Sequence, residues 1–364
     1  MNLLFALPGF HRYDRGAEVA LLAVADAIAR GGDAVTVMGS GSSRTDAAYQ
    51  FRTVPSVRRE RFERFPKFPP LRSETAWEDA SFVPGLLNAY RPADYDAVVT
   101  CSFPFTHWAL RRPSRNKPLQ IFVTQNGDWP AFASNSEYRS FQCDGLVCTN
   151  PDYLERNRDQ WDCALIPNGV DLSRFRPGAA ERARFGLPED RPIILMVSAF
   201  IETKRVLDGI RAVAQLDDAF LVVAGDGPLR DEGQALADRL LPGRFKRLSL
   251  AAADMPALYR SSDAFLHLSL LESFGNVFVE AWASGLPVVG HDSERLRWIL
   301  GSGAEFLCDT KDSNALIAML GTALARGPVR AEPPEGIKRF AWSTIADQYR
   351  DFIASLLAAR ASVG

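Results

Sequence analysis

Short, predominantly apolar runs recur in this chain at 2–7, 34–38, 97–101, 119–123, 145–149, 193–198, 220–224 and 264–268. Each run is the length of a strand buried on both faces, and the segments between them carry helical patterns. A helix is predicted over 17–29, closed by Gly31 and Gly32, and another from Lys204 through Ala214. Strand, helix and strand in repeated succession predict an α/β protein with parallel sheets. The 364 residues suffice for two such domains, each with its own core. The crossing falls within 163–175, where Asn168 and Gly169 read as a tight turn, so 1–164 and 165–342 are assigned to separate domains. Pro228, after the strand at 220–224, suits the first position of a helix.

Residues 39–50 are small and polar, a surface loop. The stretch 52–72 carries seven Arg or Lys, interleaved with Phe62, Phe65 and Phe68 and followed by Pro69 and Pro70. At helical spacing Arg58, Arg61, Phe62 and Phe65 share a face. The stretch reads either as a solvated helix with a proline-rich loop, or as a surface for an anionic lipid or acceptor.

Composition narrows the function classes. A net charge of −2 with 47% apolar residues implies no general attraction to nucleic acid. Five cysteines, scattered and without a C-x-x-C pair, argue for a reducing compartment and against structural zinc. No run of about 18 apolar residues occurs, and the opening run is too short for a signal segment, so the expectation is a cytoplasmic protein with at most peripheral membrane contact. Asp94 and Asp96 resemble a metal-binding Asp-x-Asp but precede their strand, at the wrong end for a ligand, and read as a turn. Of four histidines, His267 lies within a buried run and reads as core, while His11, His107 and His291 have no identifiable partner in the sequence.

The chemistry concentrates in Glu272-Ser-Phe-Gly-Asn-Val-Phe-Val-Glu280, followed by Ala-Trp-Ala-Ser-Gly-Leu-Pro-Val-Val289. Gly275 and Asn276 open a helix that Gly285 closes. Glu280 is the only charge between Phe274 and Val289, so it requires a donor. Helical side chains lean toward the N-terminus, which points Glu280 at the mouth formed by the backbone amides of Ser273, Phe274, Gly275, Asn276 and Val277. That mouth favours a diphosphate, with Glu280 free to accept from a vicinal diol and Glu272 from hydroxyls beyond the phosphates. The bland reading stays open: Glu280 paired to an arginine, and Glu272 decorating a loop.

Two glutamates seven residues apart, with Phe-Gly after the first and Ala-x-Ala-x-Gly-x-Pro-Val-Val after the second, resemble the signature of retaining GT-B glycosyltransferases of family four. Ile166-Pro-Asn-Gly-Val-Asp171, Lys204, Gly225-Asp-Gly-Pro228 and Leu258-Tyr259 resemble the same family in the same order. The resemblance covers most of the chain, more strongly in its second half. It implies two Rossmann-like doubly wound domains facing across a cleft, with the amphipathic run at 345–357 inside a final helix (343–364) that returns to the first domain. It also implies a hexosyl unit moved from a nucleotide-diphosphate sugar, UDP- or GDP-linked, with no metal and no other cofactor. Glu280 would hold ribose, Glu272 the hexose, Lys204 with Arg205 the diphosphate, and the Gly16 loop would face donor and acceptor. The segment 248–259 would lie near the base.

Two positions depart from the family pattern. Asn126 stands where the family often has His, leaving Asp128 either to supply a carboxylate or to cap a turn, and Ala199 stands where it usually has Arg. Asn cannot shuttle a proton at neutral pH. These departures keep open a nucleotide-sugar-binding protein without turnover, and the fold keeps open a phosphorylase or an epimerase. The acceptor, whether carbohydrate, lipid-linked or small, is not named by the sequence.

Overall fold

The computed structural model describes residues 1–114, 117–133, 138–270 and 272–363. The chain divides into two compact units, residues 1–169 with 342–364, and residues 170–341. The sequence places these boundaries at 164 and 342 instead. The second unit opens at Val170 because its amide donates to the Phe340 carbonyl at 2.7 Å, tying both of its ends together.

The first unit holds a seven-stranded parallel sheet of β1 (Asn2–Ala6), β2 (Ala34–Gly39), β3 (Gln50–Thr53), β4 (Ala97–Thr100), β5 (Leu119–Val123), β6 (Gly145–Cys148) and β7 (Cys163–Leu165), in the order β3-β2-β1-β4-β5-β6-β7. Side chains alternate across each strand, so Leu3 and Phe5 enter one core layer while Leu4 and Ala6 enter the other. The second unit repeats the plan with β8 (Ile193–Val197), β9 (Phe220–Ala224), β10 (Phe245–Leu248), β11 (Ala264–His267), β12 (Val288–His291) and β13 (Leu307–Cys308), in the order β10-β9-β8-β11-β12-β13. Ile193 and Leu195 face one layer, Ile194 and Met196 the other. The central strands of both sheets are therefore buried on both faces. In each, the strand order reverses once, at β1/β4 and at β8/β11, where doubly wound sheets open a ligand crevice at the strands' carboxyl ends.

The helix Trp342–Val363 belongs to the first unit. Its Ile345, Ala346, Tyr349 and Ile353 pack with Leu21, Ala25 and Ile28 of the helix Gly16–Arg30. Arg350 donates to Asp33 at 2.7 Å, and the chain's own N-terminal ammonium occupies the other oxygen of that carboxylate. The C-terminal segment is thereby fastened to β1 and the turn before β2.

Several local expectations are corrected. Residues 52–72 form no amphipathic helix: Arg52 lies in β3, and only Arg59–Phe62 makes a short 3-10 turn. Phe62, Phe65 and Phe68 instead gather round Trp77 at 5.3–6.1 Å between ring centres. Asn168 and Gly169 form no turn; Asn168 is buried and its side chain exchanges hydrogen bonds with Gln125. The helix after β9 starts at Arg230, two residues past Pro228. His11, His107 and His291 all have partners: the Tyr49 hydroxyl, the Gln142 carbonyl and Thr310. The Asp94 and Asp96 pair agrees with its reading as a turn: Pro92–Asp94 form a 3-10 turn, and Asp96 accepts from the Asn2 amide at 2.7 Å at the amino end of the sheet.

Candidate functional site

In the second unit, the loops leaving β8 and β11 flank the point where the strand order reverses. Lys204 ends a 3-10 turn in the first loop and Glu272 lies in the second. The sheet order brings them together although 68 residues separate them, and the Lys204 ammonium bonds Oε1 of Glu272. His267, the last residue of β11, places Nε2 at 3.0 Å from the same oxygen. The Arg295 guanidinium bonds the Glu272 carbonyl, which fixes the backbone beneath the side chain. Burial pushes the Glu272 carboxyl up, but the His267 hydrogen bond and the Lys204 charge outweigh it and bring it down to about 2. Glu272 is ionised throughout the physiological range.

The helix Asn276–Ala283 starts four residues after Glu272. Gly275 precedes it at φ +90°, and a Cβ there would lie 2.6 Å from the Phe278 ring, so both conformation and space demand glycine. The opening turn of such a helix has amides with no carbonyl inside the helix and carries the positive end of its dipole. Phe274 does not face this mouth; its ring is buried against Phe340 and Trp298, leaving only its backbone for a ligand. Glu280 lies one turn into the helix and is partly buried. Its donor is not an arginine but the Tyr259 hydroxyl, 2.8 Å from Oε2. Burial pushes the Glu280 carboxyl up, against the Tyr259 hydrogen bond and the Arg174 charge. Its other oxygen has no hydrogen bond among the described residues.

Arg205 takes a different course from Lys204. It stands at φ +53°, ahead of the helix Val206–Val213, and its guanidinium bonds Asp208 and Thr310 rather than Glu272. Its charge is engaged with this helix and with the loop after β13.

In the first unit, Gly16 is exposed and begins the helix Gly16–Arg30 after the β1 loop. Asn126 is exposed in the loop after β5, its amide nitrogen 3.9 Å from the Cys101 sulfur. Asp128 is 3% exposed and accepts from Arg156 at 3.1 Å and Asn157 at 2.9 Å. It neither caps the turn that follows with its side chain nor faces solvent, so it acts as a brace between loop and helix.

His267 and Arg295 were missed in the sequence. A histidine inside an apolar strand looks like core, and only its position at the strand's carboxyl end, five residues before Glu272, could have hinted otherwise. Arg295 lies on another helix, and no local pattern links it to Glu272.

Two family models divide the chain between them: "Glycosyltransferase Family 4" matches residues 15–174 and "Glycosyl transferases group 1" residues 179–339. The lipopolysaccharide core biosynthesis glycosyltransferase LpsE of Rhizobium meliloti is 30% identical over 243 residues, covering 64% of this chain and 69% of that protein. The chain belongs to glycosyltransferase family 4. It is accordingly a glycosyltransferase, an enzyme of carbohydrate biosynthesis. A phosphatidyl-myo-inositol mannosyltransferase of Mycobacterium leprae is 31% identical over 201 residues, 51% of this chain and 52% of that one. Among solved structures, the family 4 chain shares its fold with sucrose-phosphate synthase from Thermosynechococcus elongatus, at TM-score 0.73 and 21% identity over 99% of this chain and 100% of that one. Anabaena HepE in complex with UDP and glucose matches at TM-score 0.62 and 17% identity, over 98% and 100%. The two Rossmann-like units are those of the GT-B fold.

Proposed function

We propose that this glycosyltransferase moves a hexosyl unit from a nucleotide-diphosphate sugar, UDP- or GDP-linked, to an acceptor hydroxyl with retained anomeric configuration. The observation that carries the reading is the pairing of Lys204 with Glu272 beside the mouth of the Asn276–Ala283 helix. Opposite charges held together there match the two halves of a donor. A diphosphate displaces the carboxylate from Lys204 and rests on the amides of Gly275, Asn276 and Val277, and the sugar hydroxyls take up Glu272. Glu280, with one oxygen on Tyr259 and the other unbonded among the described residues, accepts from the ribose diol. Arg205 contributes its field to the diphosphate from behind Lys204. The second unit thus holds the donor, and the first, with Gly16 and Asn126, the acceptor.

In this reading the departing diphosphate takes the acceptor proton, so neither a protein nucleophile nor a metal has a step, and Asn126 need only orient a hydroxyl by hydrogen bonding. Asp128 is left out of the chemistry because its carboxylate is spent on Arg156 and Asn157. The names of the relatives, one concerned with lipopolysaccharide core and one with a phosphatidylinositol, favour an acceptor borne on lipid. Phe65 and Phe68, 44% and 47% exposed, stand among exposed Arg58, Arg61 and Arg64, a surface suited to an anionic membrane from the cytoplasmic side. No helix among the described residues is long and apolar enough to cross one.

The test is the melting shift with UDP, GDP, dTDP and ADP, on the native chain and on Glu280→Ala. A ligand at a hundredfold excess over its Kd stabilises by about 2.7 kcal/mol. One base should produce that shift, and Glu280→Ala should lose it. No shift with any nucleotide would sink the reading. A shift without transfer to any acceptor, or with free sugar phosphate as product, would favour a binding protein or a phosphorylase.

A further inference from the structure

His267 is buried, yet it does not behave as a core residue. Its ring is gripped between apolar neighbours, edge-on to Phe278 at 4.9 Å and parallel to Phe265 at 6.2 Å between centres. Nδ1 is buried and has no hydrogen-bond partner among the described residues. Leucine or phenylalanine would fill such a place without an unpaired nitrogen, so the imidazole is costly as packing and needs another reason. Among the described residues its single polar contact is Nε2 with Oε1 of Glu272 at 3.0 Å. Glu272 is ionised, with its carboxyl down at about 2, and can only accept, so Nε2 must carry the hydrogen.

Two donors, Lys204 and His267, thus converge on one oxygen of Glu272 and leave Oε2 to the sugar. They differ in freedom. Lys204 ends in a rotatable ammonium on a flexible stem in a loop, whereas His267 is fixed in a strand and clamped by rings. We propose that His267 is a positioning residue that holds Oε1 of Glu272 when the donor's diphosphate draws Lys204 away, so that Oε2 stays aimed at the hexose hydroxyls. The inference rests on the reading of Glu272 as the hexose ligand. It assigns the histidine to recognition of the sugar and not of the nucleotide.

That division supplies the test. Binding of UDP and GDP is compared with binding of UDP-glucose, UDP-galactose and GDP-mannose by calorimetry, for the native enzyme, His267→Leu and His267→Gln. His267→Leu should bind the nucleotide within about twofold of native but lose about 10- to 100-fold in affinity for the nucleotide sugar, the worth of a charged hydrogen bond. His267→Gln, which can still donate, should recover most of that loss. Equal affinity for the nucleotide sugar in native and His267→Leu, or no rescue by glutamine, overturns the proposal. A parallel readout needs no ligand: in the 15N spectrum of histidine-labelled enzyme, Nε2 of His267 should be protonated, and Glu272→Gln should move its resonance. An unprotonated Nε2 overturns the proposal by itself. If no nucleotide sugar binds even the native enzyme, the donor reading falls, and with it the role assigned to His267.

Discussion

Replacing Lys204 by methionine keeps the aliphatic stem and removes the charge that faces Glu272. The side chains of Lys204 and Glu272 are 23% and 20% exposed, so the pair is neither a surface contact nor fully enclosed. Breaking a fully buried pair costs about 3–5 kcal/mol, and solvent access here reduces that to about 1–2 kcal/mol at pH 7, with the His267 bond still in place. For a unit of this size that is a fall in Tm of about 2–8 °C. The pH dependence gives the sharper check. Glu272 has its folded carboxyl at about 2, below its unfolded value of about 4.3, so its contribution is present above pH 4.3 and lost as pH falls through about 2. In Lys204→Met the folded value rises, and the loss begins at higher pH. The Tm difference between native and variant should therefore be full at pH 7 and shrink as the pH is lowered toward 3. Calorimetry from pH 7 to 3 would measure it. A gap that stays constant over this range, or no fall at pH 7, would refute the account of Glu272 as a carboxylate held ionised by Lys204.

Three further predictions concern neighbouring groups. Tyr259→Phe removes the donor to Glu280, so Tm should fall by the equivalent of about 1–3 kcal/mol and nucleotide affinity should drop with it; unchanged values on both counts would show the bond to be idle. Gly275→Ala forces a Cβ toward the Phe278 ring at positive φ, about 1–3 kcal/mol of strain, and shifts the mouth of the helix; nucleotide binding should suffer by at least tenfold, which titration calorimetry would read. Arg350→Ala unties the C-terminal helix from Asp33, and hydrogen exchange over 342–363 should quicken by about tenfold while nucleotide binding by the second unit stays as it was.

The patterns that identified the strands are local. A short apolar run bounded by turn residues reads as a buried strand, whereas the longer run at 19–25 belongs to the helix Gly16–Arg30, and Gly275 announces its helix because few other residues tolerate positive φ there. An amphipathic run at 345–357, with the family resemblance, indicated the C-terminal helix, and the glutamate pair with its glycines indicated the candidate site of the second unit. The short strand β3 was hidden because it lies at the sheet edge and has polar, largely exposed residues, which removes the apolar run. The aromatic cluster at Trp77 was hidden because its members come together through a loop without a period.

What local pattern could determine, then, was the parallel α/β architecture in two units, and Glu272 and Glu280 as candidate site residues, to which the family resemblance added Lys204. Only the tertiary structure decided who meets whom. Lys204 reaches Glu272 because β11 pairs with β8, skipping the two strands between them in the chain. The folded chain also sets His267 against Glu272, engages Arg205 with Thr310 and gives Glu280 a tyrosine rather than an arginine. Strand order and register place these side chains within hydrogen-bonding distance across tens of residues, and a hydrogen bond depends on separations of about 3 Å that no spacing along the chain encodes.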